Sequence, residues 1–431
     1  MVKAFKQNIL SYLNRNKETI ILKNILKLIT GEGLGRIIGI IMMPIILRLY
    51  SPDEMGVLSV FISFLALLAP FATFKYSVAI PLPKSNIMAV NALMLSVLIL
   101  IVTTVVLAIS LLFGRTFIFE QFSSSELISY WYFLPLGFLG IGIYDILREW
   151  GIRERKFTVI AKTTVFQKIT GSGTKIILGV LGFKYLGLII GEIFTQMGGI
   201  GSLYKNLHRD IINGLGCVTR ARMIFLARYY RLMPIYKLPS GFLLLLSGKI
   251  PILFFAMRYD MATTGQLGLA TTMLSIPVSL IAYSTGSVFY GEIARIGNTK
   301  KDQIFKLTKG IVKKLFLISI IPFLAIVILG PWLFKVFFGA GWVEAGEFAR
   351  LLSPYLLMQF IYSPISEGVI NVFGKQKYNL IIELIRVLIV CAVFTVAYYN
   401  NLEIHTLLLL YSLGLTLHYA IGTFLIFKII K

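Results

Sequence analysis

Long apolar stretches separated by short polar segments run the length of the chain. A helix needs about 20 apolar residues to cross the hydrocarbon core of a bilayer. No charge occurs between Lys84 and Arg115, and none between Lys314 and Lys335. Together with shorter or charge-bearing stretches, the pattern predicts twelve membrane-spanning helices, over residues 27–49, 55–76, 86–113, 127–147, 157–180, 185–204, 234–257, 266–290, 313–333, 347–372, 378–399 and 405–427.

Composition supports a multi-pass membrane protein. The 431 residues are 57% hydrophobic and 14% charged, with a mean hydropathy of +0.83, whereas soluble domains average about 25% charged residues. The net charge of +23 could suggest a nucleic-acid partner. Basic residues instead concentrate in alternate loops, as they do on the cytoplasmic side of inner-membrane proteins. We therefore expect no nucleic acid and both termini in the cytoplasm. The other set of loops contains only Arg115, Lys184, Arg258 and Lys335.

Two short sequence echoes indicate an internal repeat. LRLYSPDEMGVLSV (47–60) resembles MRYDMATTGQLGLAT (257–271), and EWGIRERKFTVI (149–160) resembles NVFGKQKYNLII (371–382). Both offsets are about half the chain, which predicts two parallel repeats related by a pseudo-two-fold axis along the membrane normal. We expect an N-lobe over residues 1–204, with an interfacial N-terminal helix at 5–26 and helices 1–6. A basic cytoplasmic linker over 205–233 would precede a C-lobe over 234–431.

The segments LRLYSPDEMGVLSVF after helix 1, AIPLPKS (79–85) after helix 2 and GIRERKF after helix 4 carry a family resemblance. They resemble the Wzx-type lipid-linked oligosaccharide (O-antigen) flippases of the multidrug/oligosaccharidyl-lipid/polysaccharide (MOP) transporter superfamily. The resemblance extends over the whole chain in length and helix number. It implies an all-α, MATE-like integral membrane fold with twelve transmembrane helices in two six-helix lobes.

The resemblance also implies a function. Such a protein is a transporter, not an enzyme, and moves undecaprenyl-pyrophosphate-linked O-antigen or polysaccharide repeat units across the bacterial inner membrane. Its expected partners are the lipid-linked oligosaccharide and membrane lipids, with a polysaccharide polymerase and a chain-length regulator as further candidates. Relatives that flip the peptidoglycan precursor usually have fourteen helices, so twelve argue against that activity.

Helix 1 carries two charges inside an apolar stretch, Glu32 and Arg36 in LITGEGLGRIIGIIMMPII. A charged side chain at the bilayer centre costs about 2.5–3.5 kcal/mol, so such residues face protein or water. Glu32 and Arg36 lie one helical turn apart and could form a structural ion pair. Alternatively, Arg36 lies on a cavity wall and Glu32 orients it. Gly31, Gly35 and Gly39 recur every four residues, which predicts a face for close helix packing.

The other deep charges are mostly cationic. Lys168 and Lys175 share one face of helix 5, which has no acidic residue, and Lys249 is equally isolated in helix 7. Unpaired cations in a cavity favour an anion such as a pyrophosphate or an acidic sugar. The alternative is a set of scattered structural ion pairs, as Glu383 beside Arg386 suggests. The predicted cationic substrate site consists of Arg36, Lys168, Lys175, Lys249 and Arg386.

Carboxylates in the spans are candidates for coupling transport to an ion gradient. A desolvated carboxyl group can carry a proton, and we select Glu32, Glu192 and Glu367, with H⁺ or Na⁺ as the coupling ion. The ordinary alternative for each is a helix-end or cation-paired carboxylate. Two distant cysteines and three scattered histidines predict no metal site, and no nucleotide-binding motif indicates a cofactor or direct use of ATP.

Two rival functions remain open. A multidrug/cation antiporter of the same superfamily would need an acidic cavity in place of a cationic one. A membrane polysaccharide polymerase would need a long outer loop with catalytic groups, and the helix pattern predicts none.

Overall fold

The computed structural model describes residues 17–297 and 299–431. Within these ranges the chain forms helices and loops and contains no strand. Helix covers most of each of the twelve predicted spans, so the predicted all-α membrane fold is confirmed. The long helices are α1 (Lys17–Leu49), α2 (Pro52–Leu68), α3 (Asn86–Gln121), α4 (Phe133–Arg153), α5 (Phe157–Val180), α6 (Lys184–Met197), α7 (Ile200–Leu215), α8 (Arg220–Tyr229), α9 (Leu238–Arg258), α10 (Met261–Ile296), α11 (Lys301–Phe338), α12 (Val343–Val372), α13 (Gln376–Asn400) and α14 (Ile404–Ile430).

The helices differ in how apolar they are. Eight stretches of the described chain are long and apolar enough to cross a membrane by themselves. They fall on α2, α3, α6 with α7, α9, α10, α11, α13 and α14, and none falls on α4, α5 or α12. These three helices coincide with predicted spans 4, 5 and 10. They therefore depend on protein neighbours, more than the others do, to shield their polar groups.

Hydrogen bonds between segments at the helix ends agree with a chain that alternates between two ends. At one end, Tyr76 donates to the carbonyl oxygen of Ala227 (2.9 Å), and Lys301 donates to that of Lys431 (2.9 Å). We call this the basic end, because the lysine- and arginine-rich loops lie there. At the opposite end, Tyr259 donates to Leu402 (3.2 Å). This alternation fits the predicted helix count, whereas the placement of the basic end in the cytoplasm stays a prediction.

Several helix boundaries differ from the prediction. Residues 291–312, expected as a loop, are mostly helix, because α10 continues to Ile296 and α11 begins at Lys301. At 1.5 Å per residue, α11 is about 57 Å long, so it extends well beyond a hydrocarbon core of about 30 Å. Ile304 and Thr308 are fully buried in its first turns. Packing therefore holds this lysine-rich segment as a helix, which hydropathy alone does not detect.

The predicted linker and N-terminal helix also differ. Span 6 breaks at Gly198–Gly199, where Gly199 has a φ of 89°, a backbone conformation that glycine adopts without strain. Residues 205–233 are not a simple loop, because α7 and α8 occupy most of them. The predicted interfacial helix at 5–26 falls partly on residues 1–16, which lie outside the described residues. From Lys17 onward the chain is the first part of α1, which continues without a break to Leu49.

Two apolar clusters form the interior. One is built mainly from α9–α14, with Phe255 and Phe348 among its fully buried side chains. The other is built mainly from α2–α8, around Phe61, Phe138 and Trp150. We refer to α1–α8 and α9–α14 as the first and second halves. The lobe boundaries 1–204, 205–233 and 234–431 remain a prediction.

The two halves meet closely at the opposite end. A Cβ placed on Gly56 of α2 would overlap the Met261 carbonyl oxygen, and one on Gly265 of α10 would overlap that of Pro52. Further along the same contact, a Cβ on Gly268 would overlap the Ser59 hydroxyl group. We call this contact the glycine seam (Gly56, Gly265 and Gly268). Nearby, the Trp342 indole of the second half donates to the Leu47 carbonyl oxygen of α1 (2.9 Å).

Substitution of Gly56 by leucine should destabilise the protein. The new side chain would collide with backbone, which cannot move aside as a side chain can, and overpacking of this kind costs about 1–3 kcal/mol or more. Gly114→Leu in α3 is the control, because a Cβ there meets only the end of Ile118 at 3.5 Å. We expect a lower melting temperature in detergent for G56L than for G114L. Equal melting temperatures would contradict the close contact.

Candidate functional site

A cavity of about 410 Å³ lies between α1, α4, α5 and α6, within the usual size range of ligand sites. Two of these four helices, α4 and α5, are among those too polar to qualify as spans by themselves. Several of the polar residues that lower their hydropathy, among them Asp145, Gln167 and Lys168, line this hollow. The lining residues are Arg36, Ile141, Tyr144, Asp145, Arg148, Thr164, Gln167, Lys168 and Gln196.

Glycines in α1 bring its charged residue to this cavity. A Cβ on Gly31 would lie 2.5 Å from the Ala161 Cβ, and one on Gly35 would lie 3.3 Å from the Cγ of Lys168. The predicted packing role of Gly31 and Gly35 is thus confirmed, and their partner is α5. For Gly39 the prediction was wrong, because nothing lies within 4 Å of a Cβ at that position. Close packing of α1 on α5 places Arg36 and Lys168 on one cavity wall.

Among the cations that line the cavity, Arg36 and Lys168 have the fewest described neighbours that neutralise their charge. The Nη1 of Arg36 is buried and has no hydrogen-bond partner among the described residues. The charges that act on Lys168 are those of Glu192, Lys175 and Arg36, so two of the three repel it. The side chain of Glu32 lies outside the described ones, and its predicted pairing with Arg36 stays open. A buried donor without a partner is costly, so the Nη1 of Arg36 needs a partner beyond the described side chains.

Lys175 has a partner that its own helix does not supply. Its Nζ lies 2.8 Å from Oε2 of Glu192 on α6, and both side chains are largely buried. Gln196 donates to the other carboxylate oxygen of Glu192 at 2.8 Å. The expectation that no acid neutralises Lys175 was therefore wrong, because it considered only α5. Glu192, predicted for ion coupling, is in this structure a paired carboxylate connected to the cavity through Gln196.

The remaining two predicted cations lie outside the cavity lining. Lys249 is half-buried in the middle of α9, and the acid whose field acts on it is again Glu192. Arg386 on α13 is in the second half, where its Nη1 lies 3.5 Å from the Glu383 carboxylate. Of the five predicted residues, the structure thus brings two to one cavity and links two more through Glu192. It places Arg386 elsewhere.

Some lining residues were not predicted for the substrate site. Ile141, Tyr144 and Arg148 of α4 recur at the three- and four-residue spacing of one helix face, so this face was readable from the sequence. The place of Gln167 in the lining was not readable from the sequence, because it depends on a contact between two helices. The Gln167 amide donates to the Gln196 carbonyl oxygen of α6 (3.1 Å). The third coupling candidate, Glu367, is an exposed residue of α12.

The charge of the site favours an anion. The lining holds three basic side chains, Arg36, Arg148 and Lys168, and one acid, Asp145. Among the neighbours of the lining, Lys175 pairs with Glu192 (2.8 Å) and Glu149 lies 3.6 Å from Arg148, so the excess comes from the lining residues themselves. Charge-assisted hydrogen bonds from arginine and lysine are strong where water is scarce. A ligand with a phosphate or carboxylate group therefore fits this cavity better than a cationic ligand does.

Substitution of Lys175 alone should destabilise the protein more than removal of the whole ion pair. Lys175→Gln leaves Glu192 buried without its closest cation, and breaking a buried pair in this way costs about 3–5 kcal/mol. In the double variant K175Q/E192Q, two neutral amides replace the pair and most of the loss should be recovered. Melting temperatures in detergent test this expectation. A double variant less stable than K175Q would contradict it.

Comparisons with solved structures identify the fold. A lipid II flippase MurJ in an inward closed conformation superimposes with a TM-score of 0.69 at 16% identity, covering 90% of this chain and 85% of that chain. An inward-facing multidrug resistance MATE transporter of the MOP superfamily gives 0.70 at 17% identity, covering 93% and 94%. An outward-facing MATE transporter of the same superfamily gives 0.60 at 15% identity, covering 95% of both chains. At these identities the likeness establishes a MATE-like fold.

Sequence comparison identifies the family. No curated protein matches the chain. The family model described as "polysaccharide biosynthesis protein" matches residues 45–347, more than two-thirds of the sequence and most of α2–α11. With this match, and with a cationic cavity in a MATE-like membrane fold, the chain belongs to the family of polysaccharide biosynthesis proteins.

Proposed function

We propose that the chain is a flippase that moves undecaprenyl-pyrophosphate-linked O-antigen or polysaccharide repeat units across the bacterial inner membrane. It would do so by alternating access, driven by a gradient of H⁺ or Na⁺. The observation that carries the proposal is the cavity wall formed by Arg36 and Lys168. The polysaccharide biosynthesis family and the flippase among similar folds support it.

The physical argument rests on the cost of these two cations. Each costs about 2.5–3.5 kcal/mol at the centre of a membrane helix. A carrier that holds them largely uncompensated does so for a ligand that returns this energy on binding. A pyrophosphate diester carries two negative charges, and it can accept a bidentate contact from Arg36 and a point-charge contact from Lys168.

The surface beside the cavity wall suits the lipid part of such a substrate. Leu34, Ile37 and Ile41 recur along one face of α1 and are 46–62% exposed. Apolar surface therefore lies directly beside Arg36. In the proposed mechanism the polyprenyl chain stays on this surface and in the lipid, while the pyrophosphate and its sugars enter the cavity.

The glycine seam supports alternating access. It joins the two halves at the opposite end, so the described conformation would accept substrate from the basic end. The TM-scores agree with this assignment, since the inward-facing MATE structure gives 0.70 and the outward-facing one gives 0.60. Release on the other side requires α2 and α10 to separate along the seam.

Among the three coupling candidates, Glu192 has the best-supported position. It holds Lys175, and through Gln196 it contacts the cavity that binds the substrate. Arrival of an anion near Lys168 weakens the hold of the lysines on this carboxylate, and a proton or Na⁺ could then replace them. We therefore propose Glu192 as the coupling residue.

The rival functions fit the site less well. A cation antiporter would need carboxylates in the majority, whereas the lining holds three basic residues and one acid. A polymerase would need a substantial outer segment. Between the described helices, the longest connection at the opposite end is residues 122–132, which includes only a short helical turn at Glu126–Ser129.

Removal of either cavity cation should reduce transport. Loss of a hydrogen bond to a charged group costs about 1.5–3 kcal/mol, so Lys168→Gln or Arg36→Gln should weaken substrate binding about 10–100-fold. The measurement is the uptake of labelled lipid-linked oligosaccharide into proteoliposomes. Lys162→Gln is the matched control, because Lys162 lies on the same helix but is exposed. Uptake by K168Q and R36Q equal to that of K162Q would refute the proposed site.

A cross-link across the glycine seam should stop transport reversibly. Ser59 and Gly268 face each other there, with a Cβ on Gly268 lying 3.0 Å from the Ser59 Cβ. In a background lacking Cys217 and Cys391, the double variant S59C/G268C should lose uptake on oxidation and regain it on reduction. The single-cysteine variants are the controls. Full transport by the oxidised double variant would show that the seam does not open during the cycle.

A further inference from the structure

The two halves repeat one arrangement of a glycine and a cation. In the first half, a Cβ on Gly35 of α1 would contact the Lys168 side chain of α5 at 3.3 Å. In the second half, a Cβ on Gly248 of α9 would contact Nη2 of Arg386 on α13 at 3.9 Å. In both halves the residue that follows the glycine is also basic, Arg36 in one and Lys249 in the other.

Position along the helices supports the correspondence. The separation of 213 residues between the glycines is within one helical turn of the offset of 210 in the first sequence echo, and the separation of 218 between their cation partners is about one turn from the offset of 222 in the second. Lys168 is 11 residues from the start of α5, and Arg386 is 10 residues from the start of α13. At 1.5 Å per residue, both lie about 15 Å from the basic end of their helices. Arg386 is therefore the counterpart of Lys168.

Arg386 has more donor capacity than its surroundings use. The residue is 9% exposed, and its Nε has no hydrogen-bond partner among the described residues. Its Nη1 lies 3.5 Å from the Glu383 carboxylate, which is a long distance for a hydrogen bond. The guanidinium group otherwise lies against aromatic surface, 5.9 Å from the centre of the Tyr419 ring. A guanidinium group has five N–H donors, so this one can still bind an anion.

Gly248 leaves room for such an anion. It is exposed, and a Cβ built on it would meet Nη2 of Arg386 and no other atom within 4 Å. The next residue, Lys249, is within the field of Glu192, which is paired to Lys175 beside the cavity. On α9, Gly248 thus lies against Arg386, and the next residue, Lys249, is the residue of this helix on which the charge of Glu192 acts.

We propose that Arg386 forms a second anion site, in the second half, which takes the phosphate-bearing head group after it leaves Arg36 and Lys168. The inference rests on the proposed function and adds a step to it. Arg36 and Lys168 capture the anion in the conformation closed at the glycine seam. Arg386 contacts it once the halves have moved, and Gly248 lets the phosphate approach the guanidinium group.

A purely structural role for Arg386 makes a different prediction. Arg350 on α12 has the same i,i+3 pairing with an acid, Glu347, at 3.2 Å, and its Nε is also without a partner. It has no counterpart in the cavity of the first half. If Arg386 only stabilises its helix, Arg350→Gln and Arg386→Gln should affect the protein alike. Arg350→Gln is thus a matched control.

The test separates binding from transport. Inorganic pyrophosphate binding to the full chain in nanodiscs measures the first site, and uptake of labelled lipid-linked oligosaccharide measures the whole cycle. We expect R386Q to bind pyrophosphate within twofold of the unmodified protein but to transport at least tenfold more slowly, with partial recovery in R386K. Lys168→Gln should weaken pyrophosphate binding at least tenfold.

Three results would overturn the second site. They are undiminished transport by R386Q, a loss of pyrophosphate binding in R386Q as large as in K168Q, and equal transport losses in R386Q and R350Q. Failure of the proposed function is distinguishable, because K168Q would then bind pyrophosphate normally and transport would be unaffected in both K168Q and R36Q.

A glycine variant tests the access route independently. Gly248→Leu would cover Arg386 without removing its charge, so transport should fall as in R386Q. Gly241→Leu is the control on the same helix, because nothing lies within 4 Å of a Cβ there. Both substitutions favour the helix, and both variants should fold. Equal transport by G248L and G241L would exclude approach of the anion past Gly248.

Discussion

The cost of holding a cation in hydrocarbon constrains the whole interior of this protein. Each deep lysine or arginine needs an acid, a wet hollow or a bound anion. Lys175 is satisfied by Glu192, and Gln196 holds the same carboxylate from the other side. Arg36 and Lys168 line the cavity, and among the described side chains neither forms an ion pair with an acid. A chain in which every cation was paired would offer nothing to an anion, whereas one with none paired would insert poorly. The division between paired and unpaired cations therefore gives the site its charge.

Close helix packing determines where these charges meet. Ordinary side chains keep helix axes about 8–10 Å apart, and the glycines of α1 reduce this separation on the side of α5. Gly35 admits the stem of Lys168, so the lysine and Arg36 share one wall. The glycine seam uses the same means between the two halves. Glycine contacts can separate without leaving large side chains exposed, which suits an interface that must open and close.

The sequence predicted best those helices whose length is set by the thickness of the bilayer, and it predicted the other elements less well. The helices behind the twelve predicted spans were predictable, because a helix that crosses the bilayer must cover about 30 Å of hydrocarbon. The first turns of α11 and the helices α7 and α8 were not, since they need no apolar run. Lys168 could be identified as a deep cation with no acid on its own helix, whereas for Arg36 a pairing with Glu32 stayed open. The pairing of Lys175 with Glu192 could not, because no spacing rule relates residues on different helices. The spacing of residues in the sequence also could not predict that Arg386 lies away from the cavity.

Two cation sites in series address a problem that one strong site would create. A carrier must bind its head group firmly enough to take it from water and loosely enough to release it. Each proposed site has an acid within reach, Glu192 beside the first and Glu383 beside the second. When the anion departs, the acid can take its place as counterion, so the cost of an isolated buried cation does not return in full. The acids therefore weaken the binding of the anion at each site, and this weakening is what lets the substrate pass from one half to the other.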